Sequence, residues 1–498
     1  MTNIVWRKLR FCCRVRLVST LLLLCTVVLL SGCMTVGPDY SPAKLDTSAE
    51  WHSPLKAGLN AEEPNPQELT HWWRLLNDPQ LTHLVEQALT ENLDLKEARS
   101  RVREARALRG LKRAAFFPVL DANADATKSK SSQNSGSGIE RDLYAAGFDA
   151  SWELDIFGGV KRSAEAAQAG LEATQEDLRD LQVSLLAEVA LNYIDIRTYQ
   201  IRLKVNQENI QAQQQSYELN DSRYQSGIIG ELPLQESLRI LETTHAQRPV
   251  LEAGLDAAKN RLAVLLGNRP GQLHNALAAV QPLPQLPLSV AVGIPAETLR
   301  RRPDVRRAER NLAAQTARIG VATAELYPAF RLSGSLGLEA LSLGNLFQAG
   351  SKVWDIGPGV SWNLFNAGAV RRNIEVQNAR QEQALIQYER SVLQAQEEVE
   401  NALMAFAREQ EHQASIAKAS TAAKRAEELA RDQYQAGLVN FNNVLDAQRS
   451  LLILRDELAK SDGAVVSNLI RLYKALGGGW TLDTPEGEAS SAQGTPRF

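Results

Sequence analysis

Residues 144–156 run Tyr-Ala-Ala-Gly-Phe-Asp-Ala-Ser-Trp-Glu-Leu-Asp-Ile. Tyr144, Ala146, Phe148, Ala150, Trp152, Leu154 and Ile156 alternate with Ala145, Gly147, Asp149, Ser151, Glu153 and Asp155. A strand sends successive side chains to opposite faces, so the stretch predicts one apolar and one acidic face. Further along, Trp354, Ile356, Pro358, Val360, Trp362 and Leu364 alternate with Asp355, Gly357, Gly359, Ser361 and Asn363. The segments before them follow suit: Leu120, Ala122, Ala124 and Ala126 against Asp121, Asn123, Asp125 and Thr127, and Phe330, Leu332, Gly334, Leu336 and Leu338 against Arg331, Ser333, Ser335, Gly337 and Glu339. Each is close to the roughly 9 to 11 residues that a tilted strand needs to cross a bilayer. Strand by strand, a soluble sheet packed on a core is the commoner reading. Yet no other alternating stretch offers a second sheet to cover the apolar face. An open sheet cannot sit in lipid with unpaired edges, and single-chain barrels start at about eight strands, so two or more chains must contribute. Tyr144, Phe148, Trp152, Trp354 and Trp362 are the candidate lipid-facing residues. Pro358 fits a paired strand poorly and predicts a bulge or a lost ladder bond.

The spacing between these segments is general. At an offset of 210 the chain matches Asp94 with Asp304, Ala98 with Ala308, Gly110 with Gly320, Pro118 with Pro328 and Trp152 with Trp362. Arg162 with Arg372, Val189 with Val399, Tyr224 with Tyr434, Gly227 with Gly437 and Gly267 with Gly477 continue the series. Self-similarity of this kind predicts an internal duplication. Each copy passes through an Ala-rich charged helix, a Pro, two alternating segments, a long helix, a Tyr-x-x-Gly turn and a return helix ending in Leu-Gly. The expected organisation is residues 33–77 as an extended N-terminal segment, 78–269 as the first repeat and 270–294 as a Pro-rich connector. Residues 295–479 form the second repeat, and 480–498 a polar, disordered tail. Strands are expected at about 119–128, 143–156, 329–340 and 351–364.

From Val160 to Gln225 there is no proline, and Leu171, Leu178 and Leu185 fall at seven-residue spacing. This predicts one continuous helix with coiled-coil patterning, some 65 residues and about 100 Å long at 1.5 Å per residue. Val370 to Gln435 matches it. The return helices (232–267 and 442–477) and the approach helices (80–117 and 295–327) are about half as long, so two stacked end to end match one long helix. The fold class is therefore mainly α with a four-stranded antiparallel β segment per chain.

The 498 residues carry a net charge of -3, with 44% hydrophobic and 6% aromatic residues. Residues 1–32 hold Arg7, Lys8, Arg10, Arg14 and Arg16 and no anion, which leaves -8 on the remainder and argues against nucleic-acid binding. The apolar run Leu17 to Leu30 is shorter than the ~20 residues of a spanning helix and follows that cationic start, the pattern of an export signal. Leu30-Ser31-Gly32-Cys33 resembles a bacterial lipobox, which implies cleavage before Cys33, acylation of Cys33 (palmitate included) and an outer-membrane destination. Cys12, Cys13 and Cys25 lie in the leader, so no disulfide or cysteine metal cluster is expected downstream of it.

The strings CMTVGPDY (33–40), RRPDVRRAERNLAAQTARIGVATAELYPAF (301–330), YQSG, YQAG, VLDAQRSL (444–451) and LYKALGGGW (472–480) resemble the TolC-like outer-membrane factor family, in its OprM-like lipoprotein branch. The resemblance implies a homotrimer: a 12-stranded barrel in outer-membrane lipid continued by a 12-helix periplasmic tunnel. It implies a periplasmic adaptor and an inner-membrane pump of the resistance-nodulation-division type as partners. The duct would be the exit channel of an efflux pump for small molecules such as drugs or toxic compounds.

The tunnel's closing end would correspond to the turns Tyr224-Gln225-Ser226-Gly227 and Tyr434-Gln435-Ala436-Gly437. Plain helix capping explains both glycines, and adaptor contact at Tyr224, Gly227, Tyr434 and Gly437 is what the resemblance adds. It also places Asp446 at the constricted tip, where threefold symmetry would make a carboxylate ring. Asn443 stands where some relatives have a second aspartate, and Val439 where a basic residue can latch the turn. No G-x-S-x-G, H-E-x-x-H, Walker loop or downstream C-x-x-C is present, and the six histidines are scattered, so neither enzyme, metal nor cofactor is expected. Two alternatives remain: an exit duct for type I protein secretion, and a non-conducting lipoprotein scaffold bridging the envelope layers.

Overall fold

The computed structural model describes residues 35–42, 48–56 and 58–481. The expected leader, Cys33 and nearly all of the polar tail lie outside them. The chain is mainly helical with a small antiparallel sheet, and it divides into two units.

Of the described residues, the first unit takes in 35–42, 103–173 and 308–387. Its sheet has β1 (Val119–Lys130), β2 (Glu140–Leu154), β3 (Ala329–Ala340) and β4 (Lys352–Ser361), paired antiparallel in that order. The register runs without interruption through Leu332↔Pro358, so the expected bulge is absent. Within the single chain β4 is an edge strand, where a residue lacking an N–H can face the unpaired side. Asp155 accepts from the amides of Val160 (2.9 Å) and Lys161 (2.7 Å) and so caps the first long helix, α3 (Gly159–Gln225).

Residues 35–40 form a strap over that junction. The buried Arg162 donates to the carbonyls of Val36 (3.1 Å) and Gly37 (3.2 Å) and to Asp39 (2.7 Å). Burial pulls this guanidinium down, but Asp39 and Glu165 more than offset it and hold it above its ordinary value. Gly37 has φ +85°, and a Cβ there would come within 2.4 Å of Gly320 Cα, so both conformation and space demand glycine.

Of the described residues, the second unit takes in 48–56, 58–102, 174–307 and 388–481. Its core gathers Trp72, Trp73, Leu81, Tyr193, Ile194, Phe406, Leu469 and Tyr473, with Trp72 stacked on Tyr473 at 5.5 Å. The expected extended N-terminal segment is only partly so: Asn65 caps a short helix, Pro66–Thr70, and a 3-10 turn, Trp72–Leu76, sinks both tryptophans into the core. The Pro-rich connector pairs Val290–Ala291 in parallel with Leu59–Asn60.

Each expected approach helix is broken. The first consists of α1 (Pro79–Glu91) and α2 (Leu93–Ala114), interrupted at Asn92. The second consists of Pro295–Arg301 and α5 (Pro303–Ala324), interrupted at Arg302. Asn92 accepts from Leu95 N at 2.9 Å, a new N-cap, whereas Pro303 keeps Arg302 out of helical geometry. Both break residues hold the last carbonyl of a return helix: Asn92 donates to Leu265 O at the end of α4 (Glu231–Leu265), and Arg302 to Ala475 O at the end of α7 (Phe441–Ala475). Half-length helices therefore do abut, and a polar residue fills each joint. Burial pulls Arg302 down, but Asp304 and Glu398, 2.7 and 2.6 Å away, more than offset it and hold its pKa above the ordinary value. The second long helix, α6 (Ala369–Gln435), has 67 residues, as α3 does.

Candidate functional site

Two regions carry the residues that the sequence singles out. In the sheet, the register lines up Ala122, Phe148, Leu336 and Trp354 across β1 to β4, and Leu120, Ala150, Gly334 and Ile356 beside them. Phe148, Leu336, Trp354 and Ile356 are each more than half exposed. An apolar sheet face of this extent is unusual for a chain that stays in water alone. The opposite face aligns Asp121, Asp149, Ser335 and Asp355. Asn123 donates to Asp149 at 2.7 Å, and the Ser335 hydroxyl donates to Asp355.

Tyr144 is half-buried between Ala126 and Ala340. The other two candidates lie at the foot of the sheet. Trp152 donates its indole N–H to Phe116 O at 3.0 Å, and Trp362, one residue past β4, to Leu326 O at 3.1 Å. These carbonyls sit between helix end and strand start in each half, so an amphipathic ring closes both junctions, a placement favoured at a membrane boundary.

The turns form the other region. After α3, Gly227 (φ +69°) and Ile228 donate to Tyr224 O and Arg223 O; after α6, Gly437 (φ +75°) and Leu438 donate to Tyr434 O and Gln433 O. Both are left-handed helix ends, and nothing lies within 4 Å of a Cβ built on either glycine, so φ alone requires it. The two tyrosines differ. Tyr224 is 41% exposed, whereas Tyr434 is 6% exposed and lies against Phe441 among Val444, Leu445 and Ile240. Tyr434 is thus a packing residue in this chain rather than a surface contact. Its hydroxyl donates to Asn220 Oδ1 at 2.9 Å, and Asn220 Nδ2 donates to Pro233 O. The Arg223 guanidinium lies 4.5 Å over the Tyr434 ring and donates to Gln435 O. Asn443 and Asp446, three residues apart on α7, are exposed on one helix face, beside Arg449. Asn220 and Arg223 were not singled out from the sequence. Their one signal is asymmetry, since the matching positions 210 residues on are Ala430 and Gln433.

Among the described residues no helix is long and apolar enough to cross a membrane, and no group of three or more His, Cys, Asp or Glu side chains gathers as a metal site. A family model described as outer membrane efflux protein matches residues 84–268 and again 294–478. This chain belongs to the outer membrane efflux protein family. The members are channel proteins, not enzymes. The chain is 32% identical to the cation efflux system protein CusC of Escherichia coli O6:H1 over 92% of its own length and 98% of that protein. It is 30% identical to the toluene efflux pump outer membrane protein TtgF of Pseudomonas putida, covering 91% and 95%. The solved outer-membrane channel OprN superposes with a TM-score of 0.85 at 36% identity, over 89% of this chain and 99% of that one.

Proposed function

We propose that three copies of this chain close into the outer-membrane exit duct of a tripartite efflux pump, with a 12-stranded barrel in lipid and a 12-helix tunnel in the periplasm. The observation that carries this reading is the sheet: four strands, two open edges and an exposed apolar face, in a family of efflux channels. Closure by further copies removes the edges and gives the face lipid to meet. The aspartate row then lines the bore, and Trp152 and Trp362 mark the periplasmic boundary of the outer membrane. Acylated Cys33, two residues before the strapped Thr35, anchors the chain.

In this reading the exposed face of Asn443 and Asp446 narrows the periplasmic tip. Tyr224, Gly227 and Gly437 meet the adaptor, while Tyr434 holds the two turns together. An inner-membrane pump of the resistance-nodulation-division type supplies the energy. The cargo follows the pump: CusC and TtgF, alike in identity to this chain, are named for cations and for toluene. Purified protein in planar bilayers tests the duct. Unitary conductance from a species of trimer mass is the expected result, and its consistent absence would leave a non-conducting scaffold.

A further inference from the structure

The two halves have like helices but only one N-terminal strap. The strap lies along α5, where a Cβ on Gly37 would meet Gly320 Cα at 2.4 Å. Tyr40 packs on Ala169, Ala313 and Ala314 and donates its hydroxyl to Glu309 at 3.0 Å. The side of α5 that is covered here is small or uncharged: Ala313, Thr316, Ile319 and Gly320 are all buried.

At the offset of 210 those four positions in α2 are Arg103, Arg106, Arg109 and Gly110, and Arg113 stands where α5 has Thr323. Residues 105–117 carry Arg106, Arg109, Lys112 and Arg113 and no acid, whereas 315–327 carry Arg318 against Glu325. At about 100° per residue, Arg106, Arg109, Gly110 and Arg113 fall on one side of α2. Lys112 turns away from them, into a cavity it lines with Glu153 and Asp155. The arginine side is open. Arg106 and Arg113 are exposed, and nothing lies within 4 Å of a Cβ on Gly110. Arg109 is half-buried and held by Gln168 of α3 at 3.1 Å.

This stripe ends at the foot of the sheet, because Phe116 O takes the Trp152 indole N–H at 3.0 Å. Along a helix, Arg113 and Arg109 stand about 5 and 10 Å from Phe116. The headgroup layer on each side of a bilayer is about 5–7 Å deep, and an arginine stem carries its charge several ångströms further. On the lipid side of Phe116 the chain presents Phe117, 69% exposed.

We propose that Arg109 and Arg113 hold the phosphate of an anionic phospholipid from the periplasmic leaflet, which covers α2 as the strap covers α5. Guanidinium forks match phosphate oxygens, and Phe117 meets the start of the acyl chains. Arg106, two turns deeper than Arg113, adds to the attraction that cations beside a leaflet exert on anionic lipid. The site rests on the duct reading in taking Trp152 as the membrane boundary.

Native mass spectrometry of the full-length protein, released from detergent micelles holding equal phosphatidylglycerol and phosphatidylcholine, tests the site. The parent is expected to retain phosphatidylglycerol about tenfold over phosphatidylcholine, and Arg109→Gln with Arg113→Gln to cut this to about twofold. Arg113→Gln alone, at an exposed position, is expected to lower it about threefold. Arg318→Gln, in the matching helix, is expected to leave it unchanged. Equal retention of both lipids by the parent, an unchanged preference in the double variant, or the same loss in Arg318→Gln overturns the site. Millimolar inorganic phosphate that strips the preference from the parent makes it a free-anion site and overturns the lipid assignment. A parent that conducts in planar bilayers but shows no preference overturns this site alone, whereas one that does not conduct overturns the duct reading.

Discussion

The Tyr434 hydroxyl donates to Oδ1 of Asn220 at 2.9 Å, and Asn220 is completely buried. One bond thus ties the turn after α6 to the helix that leads into the turn after α3. Tyr434→Phe keeps the ring under Arg223 but leaves a buried amide oxygen without its donor, a local cost of about 1–3 kcal/mol. Amide hydrogen exchange at Gly437 and Leu438 is expected to quicken by about tenfold or more, and bilayer recordings to show more frequent opening. Unchanged exchange would mean that water replaces the hydroxyl without penalty.

Tyr224 and Tyr434 are expected to separate in their effects. Tyr224→Ala removes an exposed ring and is expected to leave thermal stability within about 0.5 kcal/mol, while weakening capture by the adaptor. Tyr434→Ala empties a core position and is expected to cost about 3–5 kcal/mol of local stability. Differential scanning calorimetry beside an adaptor pull-down distinguishes the two.

Asp446 is exposed on α7, three residues after Asn443. In the proposed duct, Asp446→Ala is expected to raise passive leak only modestly, because it removes one exposed carboxylate per chain without disturbing the Tyr434 core. Single-channel conductance equal to that of the parent would take Asp446 out of the gate.

Arg162 is the clasp of the N-terminal strap. Arg162→Met leaves the Val36 and Gly37 carbonyls without their donor and is expected to cost about 1–3 kcal/mol, seen as faster proteolysis within residues 35–42. Asp39→Asn is expected to matter far less, because the Asp39 side chain is 91% exposed and such surface pairs contribute about 0–1 kcal/mol.

Burial pushes the Asp456 carboxyl up, but bonds from Arg202 (2.7 Å) and Lys460 (2.8 Å) outweigh it and hold the group below its ordinary value. A carboxylate depressed in the folded state stabilises above its unfolded pKa, about 3.9, and loses that stabilisation as pH falls through the folded value. Thermal stability is therefore expected to decline below about pH 4, and Asp456→Asn to flatten that decline. An equal slope in the variant would place the acid sensitivity elsewhere.

Much of the sheet was legible because strand alternation is local. The four strands lie in the alternating segments, and Phe148 and Trp354 stand on one exposed face. The turn glycines were legible for the same reason, since a left-handed φ after a long helix is a property of a few residues. The breaks at Asn92 and Arg302 were not legible in the same way, because each depends on a return-helix carbonyl that the break residue meets across the fold. An Ala-rich run with helical spacing favours a continuous helix over one capping side chain. At Pro358 the expected bulge is absent, because within one chain β4 is an edge strand whose outer side can take a residue without an N–H, and edge position depends on the whole sheet.

From the sequence alone follow two like halves on an offset of 210, the strand faces, the long helices, the turn glycines and the resemblance to an efflux channel family. These depend on period, backbone dihedral and composition, which neighbouring residues set between them. Tertiary structure decided which member of each like pair is covered: Tyr434 rather than Tyr224, Arg162 rather than Arg372, Gly320 rather than Gly110. Burial is set by segments far away in the chain, so two residues of the same type in the same local pattern take different roles once one half of the molecule lies against the other.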